Sequence, residues 1–441
     1  MSGAHYDAIV IGGGVAGAST AILLASAGWS VAVIEKARFP RRKVCGECIA
    51  ATNWPLLDAL GVGAAVAASA GPPLERVGLY SGDSILTAGL PPLRGSAAPW
   101  GRALGREHLD TLLLRRAGAL GARVFEHWAV KEVDRRGPRH VCRIESCEVA
   151  DSRTLAAPLL VDAHGSWETG PGARPRARAK PSDLFGFKAN FTGATLEPAL
   201  LPVLAFEGGY GGMVIGDGGT LTIACCVRRD RLRGWRVGAH GENAGAAVER
   251  ALIASCAGVR RALEGAQREG AWLSVGPIRP GTRSAWSERA GFAVGNAAGE
   301  AHPILGEGIS MAIQSAFLLT GRLERARAEL LDGRAQDAVA RDYASAWRRN
   351  FGARLRWSGL LAALAMRPRA AAPMLAVLRL WPGLLTVAAR VGGKVRPFDG
   401  FAAGTFDADF ASDPSSTTNA GQIATEARAT VAARSAARGS P

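Results

Sequence analysis

No uninterrupted apolar stretch in the 441-residue chain is long enough to span a bilayer, so no integral membrane helix is expected. No run of Lys and Arg interleaved with aromatics stands out, and no nucleic-acid partner is expected either. There are only seven cysteines, an odd number with no small disulfide scaffold around them. That points to a reducing, cytoplasmic setting. Cys45 and Cys48 have C-x-x-C spacing, but no second C-x-x-C and no His pair completes a metal site, so no metal is expected. There is no internal repeat, and the first residues run straight into a strand pattern, so a leader segment is not expected. The composition, 48% hydrophobic and 21% charged, is globular, and the length allows two or three domains. Arg dominates the 53 basic residues, which outnumber 38 acidic ones for a net charge of +15. Their spread along an Ala-rich chain fits a high-GC genome, although such an excess also suits an anionic membrane surface or an acidic substrate.

The most informative feature is Gly12-Gly13-Gly14-Val15-Ala16-Gly17. The apolar run at 6–11 before it predicts a buried strand, residues 18–28 predict a helix closed by Gly28, and 29–34 predict a second strand ending in Glu35. Strand, G-x-G-x-x-G, helix, strand and acid together form a dinucleotide-binding pattern. Gly12 permits the tight turn, Gly14 lets backbone approach a pyrophosphate, and Gly17 lets helix and strand pack closely. The helix N-terminus then offers unpaired N–H groups to phosphate. Ala16 lies inside the motif. Glu35 is placed to accept from the adenosine ribose hydroxyls, and Lys36 follows it. Only one complete G-x-G-x-x-G occurs, so no second dinucleotide domain is evident.

Further along, residues 107–121 predict a helix and 157–165 a buried strand ending in a turn. The Arg/Pro/Gly-rich piece at 170–181 reads as a linker. Short, alternating, turn-punctuated runs from 184 to 228 predict an antiparallel sheet, and 241–266 a helical stretch. Residues 289–295 predict another buried strand, and helices dominate after Ile309. The expected organisation is α/β. A discontinuous Rossmann-like FAD-binding domain (1–65, 96–180, 272–330) carries an inserted antiparallel-sheet substrate domain (66–95, 181–271). A helical C-terminal region (331–412) and a disordered tail (413–441) follow.

The second specific segment runs from Gly295 to Ile309, Gly-Asn-Ala-Ala-Gly-Glu-Ala-His-Pro-Ile-Leu-Gly-Glu-Gly-Ile. Asn296 follows a strand end, and Gly306 and Gly308 open a helix with room for a flat ring against backbone. Here the chain resembles the FAD-dependent oxidoreductases of the p-hydroxybenzoate hydroxylase type, and more narrowly the branch of geranylgeranyl reductases and flavin-dependent halogenases, over about its first three quarters. The resemblance implies that this segment, Ile309 included, holds the ribityl chain and isoalloxazine edge of FAD. Asn296 replaces the usual Asp, keeping the acceptor but not the charge. It also implies that Arg106 contacts the cofactor, and that Cys45 occupies the Cys-Gly position of the reductase branch near flavin and substrate. Cys48 has no assigned role. The Asp162-Ala163-His164-Gly165 run matches the family's Asp-Gly fingerprint only in part, which weakens the pyridine-nucleotide contact made there. His164 is either a titrating neighbour of the cofactor or a loop histidine.

Tyr210 stands where prenyl reductases have Tyr-x-Trp-x-Phe-Pro and halogenases Trp-x-Trp-x-Ile-Pro, but Gly212 replaces the Trp and no Pro follows. No counterpart of the halogenase catalytic lysine stands out, Lys43 being poorly placed. The resemblance therefore implies first a flavin monooxygenase, a hydroxylase of an apolar or aromatic secondary-metabolite-like substrate. A geranylgeranyl reductase-like reductase of C=C bonds in a prenyl or lipid substrate is the alternative. A flavin-binding protein without turnover, a flavin halogenase and a flavin-free dehydrogenase rank lower. Reducing equivalents come from NADH or NADPH docking transiently, or from a redox partner protein. Cys45 and Tyr210 are the candidate catalytic residues. The segment 355–391 either caps the substrate cavity or lays its Arg-flanked apolar face on the inner face of the membrane.

Overall fold

A computed structural model describes residues 4–166, 178–237, 243–331, 334–370 and 372–391. At its centre lies a six-stranded sheet in the order Trp286–Ser287, Gly291–Ala293, Leu159–Asp162, Ala8–Ile11, Val31–Glu35, Arg123–Glu126. All neighbours pair parallel except Trp286–Ser287. The inner strands read as unbroken apolar runs because both faces are covered. Val10, Val33 and Val161 face the helices α1 (Val15–Ser26), α2 (Arg106–Ala119) and α3 (Gly308–Arg325). Ile9, Ala32 and Leu160 face a four-stranded sheet built from Ala4–His5, Ser152–Ala157, Arg139–Ser146 and Trp128–Arg136.

Helix α1 begins three residues before the predicted start, because Gly14 is its N-cap and the motif's last turn is already helical. Its end is a Schellman closure: the Trp29 N–H donates to the Leu24 carbonyl at 3.0 Å and the Gly28 N–H to that of Ala25 at 2.9 Å, with Gly28 at φ +76°.

The second body is an eight-stranded sheet with Leu184–Thr192, Leu221–Arg228, Gly209–Ile215 and Leu200–Phe206 at its centre. It is antiparallel apart from Arg76–Ser81, which runs parallel to Leu200–Phe206 and carries Ser84–Gly89 at the edge. Strand alternation sends Phe187, Ala189 and Phe191 into a core shared with the helices Ala244–Ser255 and Ala257–Ala262. Gly186 and Lys188 fall on the opposite face.

Helix α4 (Gln336–Ala365) joins the two bodies. Tyr343, Trp347 and Phe351 form an i, i+4, i+8 stripe against the core of the six-stranded sheet, and the Tyr343 hydroxyl donates to the Ala293 carbonyl at 2.8 Å. Farther along, Ala362 and Ala365 pack with Tyr210 and Cys226 of the second sheet. Helices α5 (Ala372–Leu380) and α6 (Gly383–Val391) follow. The expected tail at 413–441 lies outside the described residues, as does most of the expected linker. Among the described residues no helix is long and apolar enough to cross a membrane.

His140, in the four-stranded sheet, is 2% exposed, and burial pushes its imidazole down to about 4, with Arg135 adding to the shift. The unfolded chain takes up this proton near pH 6.5 and the folded one does not. Stability is therefore held above that pH and lost as pH falls toward 4. Wild type should lose about 3 kcal/mol more than His140→Asn across that window, measured by urea unfolding at each pH.

Candidate active site

The phosphate end of the site is built around the first turn. Gly12 has φ +102°, and a β-carbon there would lie 2.5 Å from the Ala163 carbonyl oxygen. A β-carbon on Gly17 would lie 1.8 Å from the Gly12 carbonyl oxygen. Both residues therefore set how closely helix and turn approach. The Glu35 carboxylate accepts from the Gly13 N–H at 2.8 Å and from the Ala37 N–H at 2.7 Å, so it clasps the turn. Lys36 beside it is exposed. No side chain caps the N-terminus of α1. The guanidiniums of Arg41 and Arg106 come within 3.4 and 3.8 Å of where a Gly14 β-carbon would be. Arg106 is held by Asp110 through Nε at 2.6 Å and Nη2 at 2.8 Å. Burial works against its charge, but Asp110 and Cys45 outweigh that and the guanidinium stays fully protonated. An uncapped helix N-terminus faced by two guanidiniums fits a pyrophosphate.

The loop 45–48 sits beside it. Glu47 adopts φ +58°, and its buried carboxylate ion-pairs with the buried Lys188 ammonium. The same carboxylate accepts from Thr222 Oγ1 at 2.7 Å and from the Arg106 backbone N–H at 3.1 Å. One buried acid thus links the loop, α2 and two strands of the second sheet. The Cys45 sulfur, beside the Arg106 guanidinium, accepts from the Glu47 N–H at 3.3 Å. All seven cysteines are free, and among the described residues no three His, Cys, Asp or Glu are grouped to hold a metal.

The segment 295–309 supplies the other wall. A Gly295 β-carbon would lie 2.8 Å from the Ala16 β-carbon, so the two glycine motifs are in contact. Asn296 Nδ2 donates to Ser166 Oγ at 2.7 Å, and Ser166 in turn donates to Glu300 at 2.8 Å. Arg283 pairs with Glu300 at 3.0 Å and also reaches the Asn296 carbonyl. Gly306 is left-handed at φ +63°. Gly308, at the uncapped start of α3, has nothing within 4 Å of where a β-carbon would be. This leaves room for a flat ring against backbone.

From there a cavity of 460 Å³ continues between the two bodies. Its near end is lined by Gly14, Ala16, Cys45, Arg106, Asn296, Gly306, Gly308 and Ile309, and its far end by side chains such as Leu79, Leu201, Met213 and Leu361. In that apolar stretch Tyr210 Oη lies 3.1 Å from His302 Nδ1, and the His302 backbone N–H donates to Ser358 Oγ at 3.1 Å. Burial pushes the His302 imidazole down, which keeps it neutral at neutral pH. Burial, reinforced by Cys226, raises the Tyr210 phenol well above its usual value, so it keeps its proton. A neutral imidazole next to a phenol in a dry cavity can take and pass a proton.

Nine of the sequence-predicted residues therefore meet on one cavity, the eight at the near end and Tyr210. Gly12, Gly17, Glu35 and Lys36 stand behind the first turn. His164 is turned against Asp162 and does not line the cavity among the described residues. Sequence reasoning gave no role to His302, Glu47 or Lys188. His302 had a signal as a histidine inside the second motif and Lys188 as a lone lysine in an aromatic-rich strand, while Glu47 had none.

Lys188→Met leaves the Glu47 carboxylate buried without its counter-charge and should cost about 3–5 kcal/mol of stability. The double variant Lys188→Met/Glu47→Gln should recover more than half of that loss. Denaturant unfolding of the three proteins checks both.

Known proteins share this architecture. A flavin-dependent halogenase, armH4, of Armillaria mellea is 31% identical over 175 residues, covering 36% of this chain and 32% of that protein. The 6-methylpretetramide 4-monooxygenase of Streptomyces rimosus is 43% identical over 60 residues, 14% of each chain. The chain thus matches about a third or less of the length of either relative. The solved structure of the flavin-dependent brominase Bmp2 superposes with a TM-score of 0.71 at 19% identity, covering 95% of this chain and 98% of that one, which shows the fold. A family model described as FAD binding domain matches residues 5–356, spanning both glycine motifs, Arg106 and the second sheet. The chain belongs to the FAD-binding-domain family, as a flavoprotein of the p-hydroxybenzoate hydroxylase type.

Proposed function

We propose that this protein is an FAD-dependent monooxygenase that hydroxylates an apolar or aromatic substrate. The observation that carries the reading is the apolar cavity that opens at Gly308 and Asn296 and runs to the Tyr210–His302 pair. Bound FAD would supply the redox chemistry: with two electrons from NADH or NADPH, one atom of dioxygen enters the substrate and the other leaves as water. Arg41, Arg106 and the start of α1 would hold its pyrophosphate, Glu35 its ribose, Asn296 the sugar-alcohol chain, and the backbone at 306–308 the ring edge. The reductant docks transiently or works through a partner protein, since the chain has one dinucleotide motif.

The chain's own groups do three things. The apolar walls exclude water and orient the substrate's reacting carbon toward the flavin end. Tyr210 positions a substrate hydroxyl or carbonyl by hydrogen bonding. His302, neutral because it is buried, accepts the hydroxyl proton and enriches an aromatic ring in electrons for attack by an electrophilic oxygen. Halogenation is the second reading. It is favoured by the matched halogenase and by Lys43, which lines the cavity near Gly165.

The test supplies FAD-loaded protein with NADH or NADPH, a flavin reductase, a panel of phenols and pyrroles, and isotopically labelled oxygen, with and without bromide. Incorporation of the label into product, independent of bromide, is expected. A bromide-dependent brominated product overturns hydroxylation in favour of halogenation, and anaerobic hydrogenation of an added prenyl substrate overturns both in favour of C=C reduction. His302→Ala should cut turnover about 100-fold with flavin content unchanged. Because burial lowers the His302 imidazole, the acid limb of the wild-type rate profile should fall below about pH 6.5, as read from steady-state rates across pH.

A further inference from the structure

The exposed large apolar side chains are concentrated in one region. Trp357 and Leu360 at the end of α4, Val377 and Leu380 on α5, Trp381 at the joint, and Val387 on α6 are all exposed, Leu380 by 73% and Trp381 by 64%. Elsewhere among the described residues only Val149 and Val237 are comparably exposed. The same stretch is one-signed: no Asp or Glu occurs between Asp342 and Asp399, while Arg356, Arg367, Arg369 and Arg379 are exposed. The helices are apolar on their inner side too, where Leu375, Leu378 and Leu385 line the cavity. They are tied to the edge strand Ser84–Gly89, with Thr386 Oγ1 donating to the Gly89 carbonyl at 2.7 Å and Arg379 donating to Ser84. A wall that is apolar on both sides and rimmed by arginines has no reason to face bulk water.

We propose that α5, α6 and the end of α4 dock on the surface of an anionic lipid bilayer, and that the cavity is loaded with its apolar substrate from that surface. Trp357 and Trp381 sit at the headgroup level, the aliphatic side chains enter the acyl boundary, and the arginines meet lipid phosphates. The charge argues against a second copy of the chain as the occupant, because a two-fold contact would place the same arginines against one another. The loading step rests on the monooxygenase reading, and the docking does not.

The test is flotation of the full chain with phosphatidylcholine vesicles and with vesicles that also contain phosphatidylglycerol. The protein should float with the anionic vesicles only and be released by salt. Leu380→Glu/Trp381→Glu and, separately, Arg367→Glu/Arg369→Glu should each weaken binding by about 10-fold or more. Flavin content and circular dichroism should be unchanged, since all four side chains are exposed. Failure of the full chain to float at low salt overturns the proposal, as does undiminished flotation of both variants. Sedimentation showing a wild-type dimer that Leu380→Glu/Trp381→Glu converts to monomer overturns it in favour of a second copy. Flotation involves no turnover, so its failure leaves the monooxygenase reading standing, and labelled-oxygen results leave the docking standing.

Discussion

The site depends on the absence of one β-carbon. At Gly17 the first turn of α1 passes so close to the carbonyl of Gly12 that no side chain fits, the distance to an added carbon being 1.8 Å. That approach aims the helix N-terminus at the space in front of Gly14 and brings Ala16 forward to meet Gly295. The two glycine motifs lie almost three hundred residues apart, yet they touch through these small residues. A larger residue at either contact would separate the phosphate end of the cradle from its ring end, and no downstream packing could restore the register.

A second constraint fixes the second sheet over that cradle. Glu47 is held in a left-handed conformation in the loop after Cys45, and it binds Lys188, Thr222 and the backbone of Arg106 together. A buried ion pair adds little net stability compared with an apolar substitute, but it is directional. Lys188 satisfies Glu47 only if Leu184–Thr192 lies at one height above the loop. Helix α4 makes the same connection by apolar means. Its Tyr343 end is anchored on the nucleotide sheet and its Ala362 end on Tyr210 and Cys226. The cavity is what remains between these two fastenings.

Much of this was legible in the sequence, and the reason differs by region. Buried parallel strands announce themselves as unbroken apolar runs, and glycine positions follow from steric needs that do not depend on distant residues, so Gly12, Gly14 and Gly17 were readable directly. The second motif was readable because Gly306 and Gly308 repeat that logic, and Arg106 through family resemblance. Pairings formed by the tertiary fold were not. Nothing local to Lys188 says that Glu47 will meet it, and nothing near Tyr210 says that His302 will lie 3.1 Å away. Glu35 illustrates the intermediate case: its position was legible, but its grip on the Gly13 and Ala37 amides required coordinates. The mixed second sheet was read as antiparallel because a parallel strand contributed from residues 76–81 leaves no periodicity that distinguishes it.

The charges around the cavity either stand at its near end, as Lys43 and Arg41 do, or are paired, so that little of their field enters the apolar stretch. Arg106 faces Asp110, Lys188 faces Glu47, and Arg283 faces Glu300, each pair close enough to cancel most of its field within a few ångströms. What reaches the apolar stretch is a neutral imidazole and a protonated phenol, together with backbone dipoles at the starts of α1 and α3. Such a space selects against charged ligands, which would leave water without gaining a counter-charge. On the monooxygenase reading proposed above, it would take aromatic or aliphatic molecules carrying one polar group, to which the Tyr210–His302 pair is open. The arginines of the last helices lie on the outer surface, where they act on what approaches the protein and not on the chemistry inside. On the two readings proposed above, their charge and the neutrality of the cavity would therefore serve different steps, approach to the molecule in one case and selection of the substrate in the other.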